Sequence, residues 1–165
     1  MNHPLLPRQF NNMGSDTSSM WPFMIFGGLS AGKTALLLAL EGKDPLTAVK
    51  SSGIDYSGWG IDTCGEYCAS GKLRRELVSA ALKARILIVV QDATSDQAIF
   101  PPHYFLMYPH PKIGVVTKMD LPNADPQRAT EILRAAGVNG KVFYVSSLSG
   151  EGISDLRDFL LNQNF

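Results

Sequence analysis

A glycine-rich segment, "GGLSAGKT" at Gly27–Thr34, most constrains what this chain can fold into. It follows the short apolar run "MIF" (24–26) and precedes the leucine-rich run "TALLLALE" (34–41). The first run predicts a buried strand, and the second predicts a helix that ends near Gly42. Glycines at such a junction let backbone N–H groups converge beside the positive end of the helix dipole. The segment therefore predicts a phosphate-binding loop, which we call the glycine loop.

The glycine loop matches the pattern G-x-x-x-x-G-K-[ST] of nucleotide-binding loops. We expect all of its residues to contact a nucleotide: Gly27, Gly28, Leu29, Ser30, Ala31, Gly32, Lys33 and Thr34. Lys33 would place a positive charge on the outer phosphates and act in catalysis, and the Thr34 hydroxyl would ligate Mg²⁺. The alternative is a plain glycine turn between a strand and a helix.

Downstream of the glycine loop, apolar runs alternate with segments of helical spacing. Strands are predicted near Ile61 and at 86–93, 112–118 and 141–147, and helices at 74–84, 125–137 and 152–163. Alternation of this kind favours an α/β fold in three layers, with a mostly parallel central sheet of five to six strands. We expect a flexible extension over residues 1–20 and a nucleotide-binding domain over 21–165, because the first segment shows no clear periodicity.

Composition restricts the class of protein further. Fifteen basic residues balance fifteen acidic ones among 165, which argues against a strongly basic surface for nucleic acid or membranes. No apolar stretch reaches the roughly 18 residues of a membrane span, and the N-terminus lacks the order of a secretory signal. We expect a soluble, cytoplasmic protein in which Cys64 and Cys68 are reduced thiols rather than zinc ligands.

The sequence "DTCG" at Asp62–Gly65 follows the strand predicted near Ile61. A carboxylate at that strand end could hold Mg²⁺ through water opposite Thr34, and the Gly65 N–H could meet a γ-phosphate. Glu66 comes next, where a side chain could act on the attacking water. Capping of a nearby helix is the alternative role for Glu66.

The sequence "TKMD" at Thr117–Asp120 follows another predicted strand. Asp120 could accept two hydrogen bonds from guanine, whereas adenine offers no such pair and would leave a buried carboxylate unpaired. The stem of Lys118 would lie along the base plane. After the last strand, a backbone N–H of "SSL" (Ser146, Ser147 and Leu148) could reach the carbonyl oxygen of the base.

These four motifs, in this order, resemble the G motifs of small GTP-binding proteins. The segments "GIDTCGEY" and "TKMDLPNAD" narrow the resemblance to the EutP/PduV family of ethanolamine and propanediol utilisation proteins, over residues 24–161. The resemblance implies a Ras-like P-loop fold, a bacterial cytoplasmic setting and an association with metabolic microcompartments. A phosphotransferase activity of the acetate-kinase type has also been proposed within that family, which keeps ATP open as a ligand.

Three departures from the Ras-type pattern bear on chemistry. Thr117 stands where Asn is usual, and a hydroxyl is expected to tether the loop less well than an amide. Leu29 stands where glycine leaves room for an arginine finger, and Glu66 stands where Gln orients water. Slow intrinsic GTP hydrolysis is therefore expected. A switch threonine is not identifiable, and Ser51 or Ser52 is the nearest candidate.

Three hypotheses of function remain open at this point. The first is a Mg²⁺-dependent GTPase switch of slow turnover, the second a phosphotransferase, and the third a nucleotide-binding scaffold on a microcompartment shell protein. GTP or GDP is the favoured ligand, and a monomer or weak dimer is expected. The aromatic segment around Phe100, Tyr104, Phe105 and Tyr108 is predicted to pack in the core rather than to form a docking face.

Overall fold

The computed structural model describes residues 20–70 and 74–163, so nearly all of the predicted extension lies outside the described residues. In chain order the helices and strands are β1 (Trp21–Gly27), α1 (Lys33–Leu40), β2 (Ile54–Asp55), β3 (Asp62–Thr63), α2 (Gly65–Ser70), α3 (Arg74–Ala81), β4 (Ala84–Asp92), β5 (Lys112–Thr117), α4 (Pro126–Ala135), β6 (Val142–Tyr144) and α5 (Ile153–Leu161). Among the helices of this described part, none has the length and apolarity needed to cross a membrane.

The central sheet has the strand order β1-β4-β5-β6 and is parallel throughout. Strands β2 and β3 form a separate antiparallel pair beside it. Ile61 connects the two sheets, because its N–H donates to Phe23 and its carbonyl accepts from Ile25, both at 2.9 Å. The predicted three-layer α/β fold with a mostly parallel sheet is confirmed. The central sheet has four strands among the described residues instead of the five to six predicted, because β2 and β3 pair with each other in a sheet of their own. The strand predicted near Ile61 is short, since β3 spans only Asp62–Thr63, and the Gly60 backbone before it lies against the Phe23 ring, where a Cβ would not fit.

Alternating residues of β1 face two separate cores. Phe23 and Ile25 pack with α1 and α5 on one side, and Met24 and Phe26 pack with α3 and α4 on the other. Four aromatic residues, Phe100, Tyr104, Phe105 and Tyr108, are buried in the second core. The Phe26 ring lies 5.3 Å from that of Phe105. The interpretation of the aromatic segment as core packing is therefore confirmed.

Parallel strands bring their carboxyl ends to one edge of the sheet, and this edge positions the functional residues. Gly27, Asp92 and Thr117 end neighbouring strands there. Helix α1 begins directly after Gly32, whose φ of 88° is a left-handed conformation that glycine adopts readily. The glycine loop is thus a sharp turn from β1 into α1 at this edge.

Candidate functional site

The glycine loop folds around the ammonium group of Lys33. This side chain is buried and donates a hydrogen bond of 2.8 Å to the carbonyl oxygen of Gly28. Burial lowers the pKa of Lys33, although Cys68 and Asp62 act in the opposite direction. The ammonium is therefore held beneath the loop, where a bound anion would favour its charged form.

Thr34 and Asp62 form a hydroxyl–carboxylate pair beside the glycine loop. The Thr34 hydroxyl donates to Asp62 Oδ2 at 2.7 Å, and the Thr63 N–H donates to Asp62 Oδ1 at 2.9 Å. Burial raises the pKa of Asp62, although the bond from Thr34 and the charge of Lys33 oppose the shift. Two adjoining hard oxygen ligands suit Mg²⁺, which takes few protein ligands and keeps waters or phosphate oxygens for the rest. The residues present therefore fit the predicted metal.

Gly65 lies directly against the backbone of the glycine loop. A Cβ at Gly65 would come within 2.5 Å of the Leu29 N and Cα atoms, so a side chain at this position would need the backbone to move. Glu66 follows in the first turn of α2 and is exposed. Its side chain does not line the cavity formed beside the glycine loop. Its predicted catalytic role stays a prediction.

The glycine-loop cavity is a recess of about 160 Å³ next to this contact. Its lining consists of Leu29, Ser30, Gly32, Lys33, Thr34, Ala35, Ala48, Val49, Lys50, Ser51, Thr63 and Gly65. Two lysines are the charged groups of this lining, and no carboxylate belongs to it. The recess therefore suits an anion.

A second recess, the Asp120 cavity, has a volume of about 320 Å³ and shares Gly32 and Ala35 with the lining of the glycine-loop cavity. It is lined by Gly32, Ala35, Thr117, Lys118, Asp120, Leu121, Ser147 and Leu148. Asp120 is exposed at this cavity, which differs from the buried carboxylate expected from the sequence. Ser146 is buried beneath the cavity, where its hydroxyl accepts a hydrogen bond from the Ser149 N–H.

Thr117 ties the lining of the Asp120 cavity to the glycine loop. Its buried hydroxyl donates to the carbonyl oxygen of Ala31 at 2.7 Å, which ties the end of β5 to the glycine loop. From the sequence, a hydroxyl at this position is expected to tether the loop less well than an amide. The hydroxyl reaches the loop at a short hydrogen-bond distance. It can do so because the Thr117 side chain lies close to the loop, where a Cβ placed on Gly32 would be 3.9 Å from it.

Lys118 has a partner, Asp92, that the sequence motifs do not indicate. The Lys118 ammonium lies 2.6 Å from Asp92 Oδ2, at the end of β4. Asp92 also accepts from the N–H and hydroxyl of Thr94, and although burial opposes it, these bonds hold the pKa of Asp92 below its usual range. The position of Asp92 at the carboxyl end of a central strand was the signal that could have identified it.

The family model for ethanolamine utilisation – propanediol utilisation, PduV-EutP, matches residues 20–162. The chain belongs to the PduV-EutP family. The propanediol utilization protein PduV of Citrobacter freundii is 35% identical over 140 residues, which cover 83% of this chain and 91% of that protein. The probable acetate kinase EutP of Escherichia coli K12 is 29% identical over 136 residues, covering 81% and 85% of the two chains.

Two solved structures share the fold of this PduV-EutP chain. The Roco2 RocCORdC protein of Methanosarcina barkeri, bound to GDP, aligns with a TM-score of 0.57 at 19% identity over 84% of this chain. The bacterial selenocysteine-specific elongation factor EF-Sec aligns with a TM-score of 0.56 at 22% identity over 82%. The alignments span 47% and 27% of those longer chains, so they show a shared fold over that part and no more.

Replacing Thr117 by valine tests the tether within this PduV-EutP site. The variant keeps the shape of the side chain but leaves the Ala31 carbonyl without its donor, and we expect the free energy of unfolding to fall by about 1–3 kcal/mol. Urea denaturation measures this change.

Thr47→Val is the matched control, because Thr47 makes a bond of the same kind and length, 2.7 Å to Asp44, in an exposed turn. That control should change stability by less than about 0.5 kcal/mol. Equal losses in both variants would contradict the tether.

Proposed function

We propose that this PduV-EutP protein binds a guanine nucleotide with Mg²⁺ and hydrolyses GTP slowly, as a switch or accessory factor in ethanolamine or propanediol utilisation. The observation that carries the proposal is the adjacency of the two cavities, whose linings share Gly32 and Ala35. The Thr117–Ala31 bond links them, so a ligand that spans both would contact one connected unit.

The glycine-loop cavity supports the assignment of phosphates. Lys33 supplies positive charge, and the backbone of the loop adjoins the N-terminus of α1. The Thr34 and Asp62 oxygens would hold Mg²⁺, which when bound supplies charge neutralisation for the outer phosphate oxygens. Gly65, packed on Leu29, would bring its backbone toward the outermost phosphate.

The Asp120 cavity supports the assignment of a base. Its apolar lining, with Ala35 and Leu148, suits a planar ring, and the Asp120 carboxylate suits a ring edge that carries two donors. Guanine has such an edge and adenine does not. Since Asp120 is exposed, the bound base itself would have to exclude water for this preference to be strong. The GDP of the Roco2 structure is in keeping with this ligand class.

Slow hydrolysis is proposed because of Leu29, which lines the glycine-loop cavity, and Glu66, which directly follows Gly65 of that lining. Leu29 is 53% exposed and stands where an inserted arginine would have to pass. Glu66 carries a negative charge, which would repel a γ-phosphate. We expect unassisted turnover below about 1 per second, well under the roughly 5–20 per second of assisted GTPases.

Binding and product analysis on the full-length chain test the proposal. With Mg²⁺ present, GDP and GTP should bind at least about tenfold more tightly than ADP and ATP. GTP should then yield GDP and phosphate slowly. Equal affinity for the two bases would contradict the guanine assignment. Binding with no loss of the terminal phosphate would instead favour a nucleotide-binding scaffold that docks on a microcompartment shell in the bacterial cytoplasm.

A phosphotransferase is the second candidate, because the Escherichia coli relative carries the name probable acetate kinase. In that reaction an acetate oxygen takes the γ-phosphoryl group, the bond to the β-phosphate oxygen breaks, and acetyl phosphate and a nucleoside diphosphate form. Trapping acetyl phosphate with hydroxylamine detects the product. Acetate-dependent product from the wild type, absent from Lys33→Ala, would establish this candidate in place of the switch.

A further inference from the structure

The segment between the 3₁₀ turn at Pro45–Thr47 and strand β2 forms one wall of the glycine-loop cavity. Four consecutive residues, Ala48, Val49, Lys50 and Ser51, line the cavity together with residues of the glycine loop. Two of them are apolar, which leaves Lys50 and Ser51 as the polar groups on this wall. The wall has no assigned role in the site described above.

The Ser51 side chain is already engaged within its own segment. Its hydroxyl donates to the Gly53 carbonyl oxygen at 3.0 Å. Ser52, the other candidate for a switch hydroxyl, is exposed and does not line the glycine-loop cavity. The sequence offered these two serines as the nearest equivalents of a switch threonine, and neither directs a free donor into the cavity.

Lys50 differs from the other lysines of the described residues by having no partner. Each of the others has an acceptor, a carboxylate or an aromatic ring: Lys33, Lys43, Lys83, Lys112, Lys118 and Lys141. Within residues 20–70 and 74–163, no hydrogen bond or ion pair involves the Lys50 ammonium. Its charge is therefore available to an anion in the cavity that it lines.

Lys50 also lines a third recess, the Asp62 cavity of about 420 Å³, together with Thr34, Asp55 and Asp62. It thus stands where the glycine-loop cavity meets the Thr34–Asp62 pair. In P-loop proteins the outermost phosphate and the metal meet at this end of the nucleotide. A cation here would contact a third phosphate and lie beyond the reach of a diphosphate.

We propose that Lys50 is a specificity-determining residue, whose ammonium group contacts the terminal phosphate of a nucleoside triphosphate across the glycine-loop cavity. The proposal rests on the proposed function, because it requires a nucleotide in that cavity. Lys33 and Lys50, which line the same cavity from two separate segments of the chain, then both hold the outer phosphates. The wall that carries Lys50 distinguishes triphosphate from diphosphate by charge rather than by a hydroxyl.

Equilibrium binding of a non-hydrolysable GTP analogue and of GDP, both with Mg²⁺, tests the role of Lys50. We expect Lys50→Ala to weaken analogue binding by about tenfold, because a charge-assisted hydrogen bond is lost, and to change GDP binding by less than about twofold. Lys50→Arg should keep most of the preference for triphosphate. Lys141→Ala removes the same charge directly before β6, the strand farthest from β1 in the central sheet, and should change neither affinity.

The outcomes separate this proposal from the proposed function. If the wild type binds no guanine nucleotide, the proposed function fails and the role of Lys50 fails with it. If the wild type binds both nucleotides and Lys50→Ala weakens them equally, or weakens neither, the role of Lys50 is overturned and the proposed function stands. Lys50 is exposed, and circular dichroism of the variant checks that its fold is retained.

Discussion

Asp120→Asn is expected to change the base preference of the protein from guanine to xanthine. The carboxylate can accept two hydrogen bonds from guanine, and an asparagine amide keeps one acceptor and replaces the other with a donor. Xanthine carries a carbonyl where guanine has its exocyclic amine, so the donor of the variant finds a partner. Since bonds to charged groups contribute about 1.5–3 kcal/mol each, GDP affinity should fall by roughly 100-fold, and xanthosine diphosphate should become the preferred ligand.

Titration with GDP, xanthosine diphosphate and ADP measures this change. Asp120→Ala is the companion variant and should lose guanine without gaining xanthine, since alanine offers neither donor nor acceptor. Asp96→Asn is the control for loss of one negative charge, because Asp96 is exposed and makes only a 3.5 Å ion pair with Arg128. A GDP affinity that Asp120→Asn leaves unchanged would show that the base does not contact Asp120.

Local sequence was sufficient to predict the parts of the site that depend on one turn of chain. The glycine loop follows from a strand, a left-handed Gly32 and a helix in direct succession. The same applies to the N-cap of α4, where Asp125 accepts from the Arg128 N–H and Pro126 follows it as predicted. Each of these features is decided by residues within a few positions of one another.

Contacts between distant segments could not be predicted in this way. The Thr117–Ala31 bond joins residues 86 positions apart, and the Lys118–Asp92 pair joins residues 26 apart. Their geometry depends on the register of three parallel strands, which the sequence does not state. The contact between the Gly60 backbone and the Phe23 ring likewise joins two distant segments of the chain.

A negative charge on Asp62 lowers the free energy of unfolding of the metal-free protein. It is 2% exposed, and burial raises the pKa of its carboxyl group. The folded protein therefore binds this proton more tightly than the unfolded chain does. By linkage, the stability of the metal-free protein should fall as the pH rises from the usual aspartate range through the raised pKa, and then level off. A cation bound beside the Thr34 hydroxyl would favour the charged form of Asp62.

Asp62→Asn is accordingly expected to separate stability from metal binding. Without Mg²⁺, the variant should unfold at a higher urea concentration than the wild type at neutral pH, and its stability should lack the decline above the aspartate range. With GTP present, Mg²⁺ should tighten binding to the wild type and not to the variant, a difference of about 10- to 100-fold. Urea denaturation across pH, and nucleotide titration with and without Mg²⁺, give both results, with Asp96→Asn as the exposed control. A variant that is less stable without the metal would mean that the Thr34–Asp62 bond contributes more to the fold than the buried charge costs. A variant that keeps its Mg²⁺ response would exclude Asp62 from the metal site.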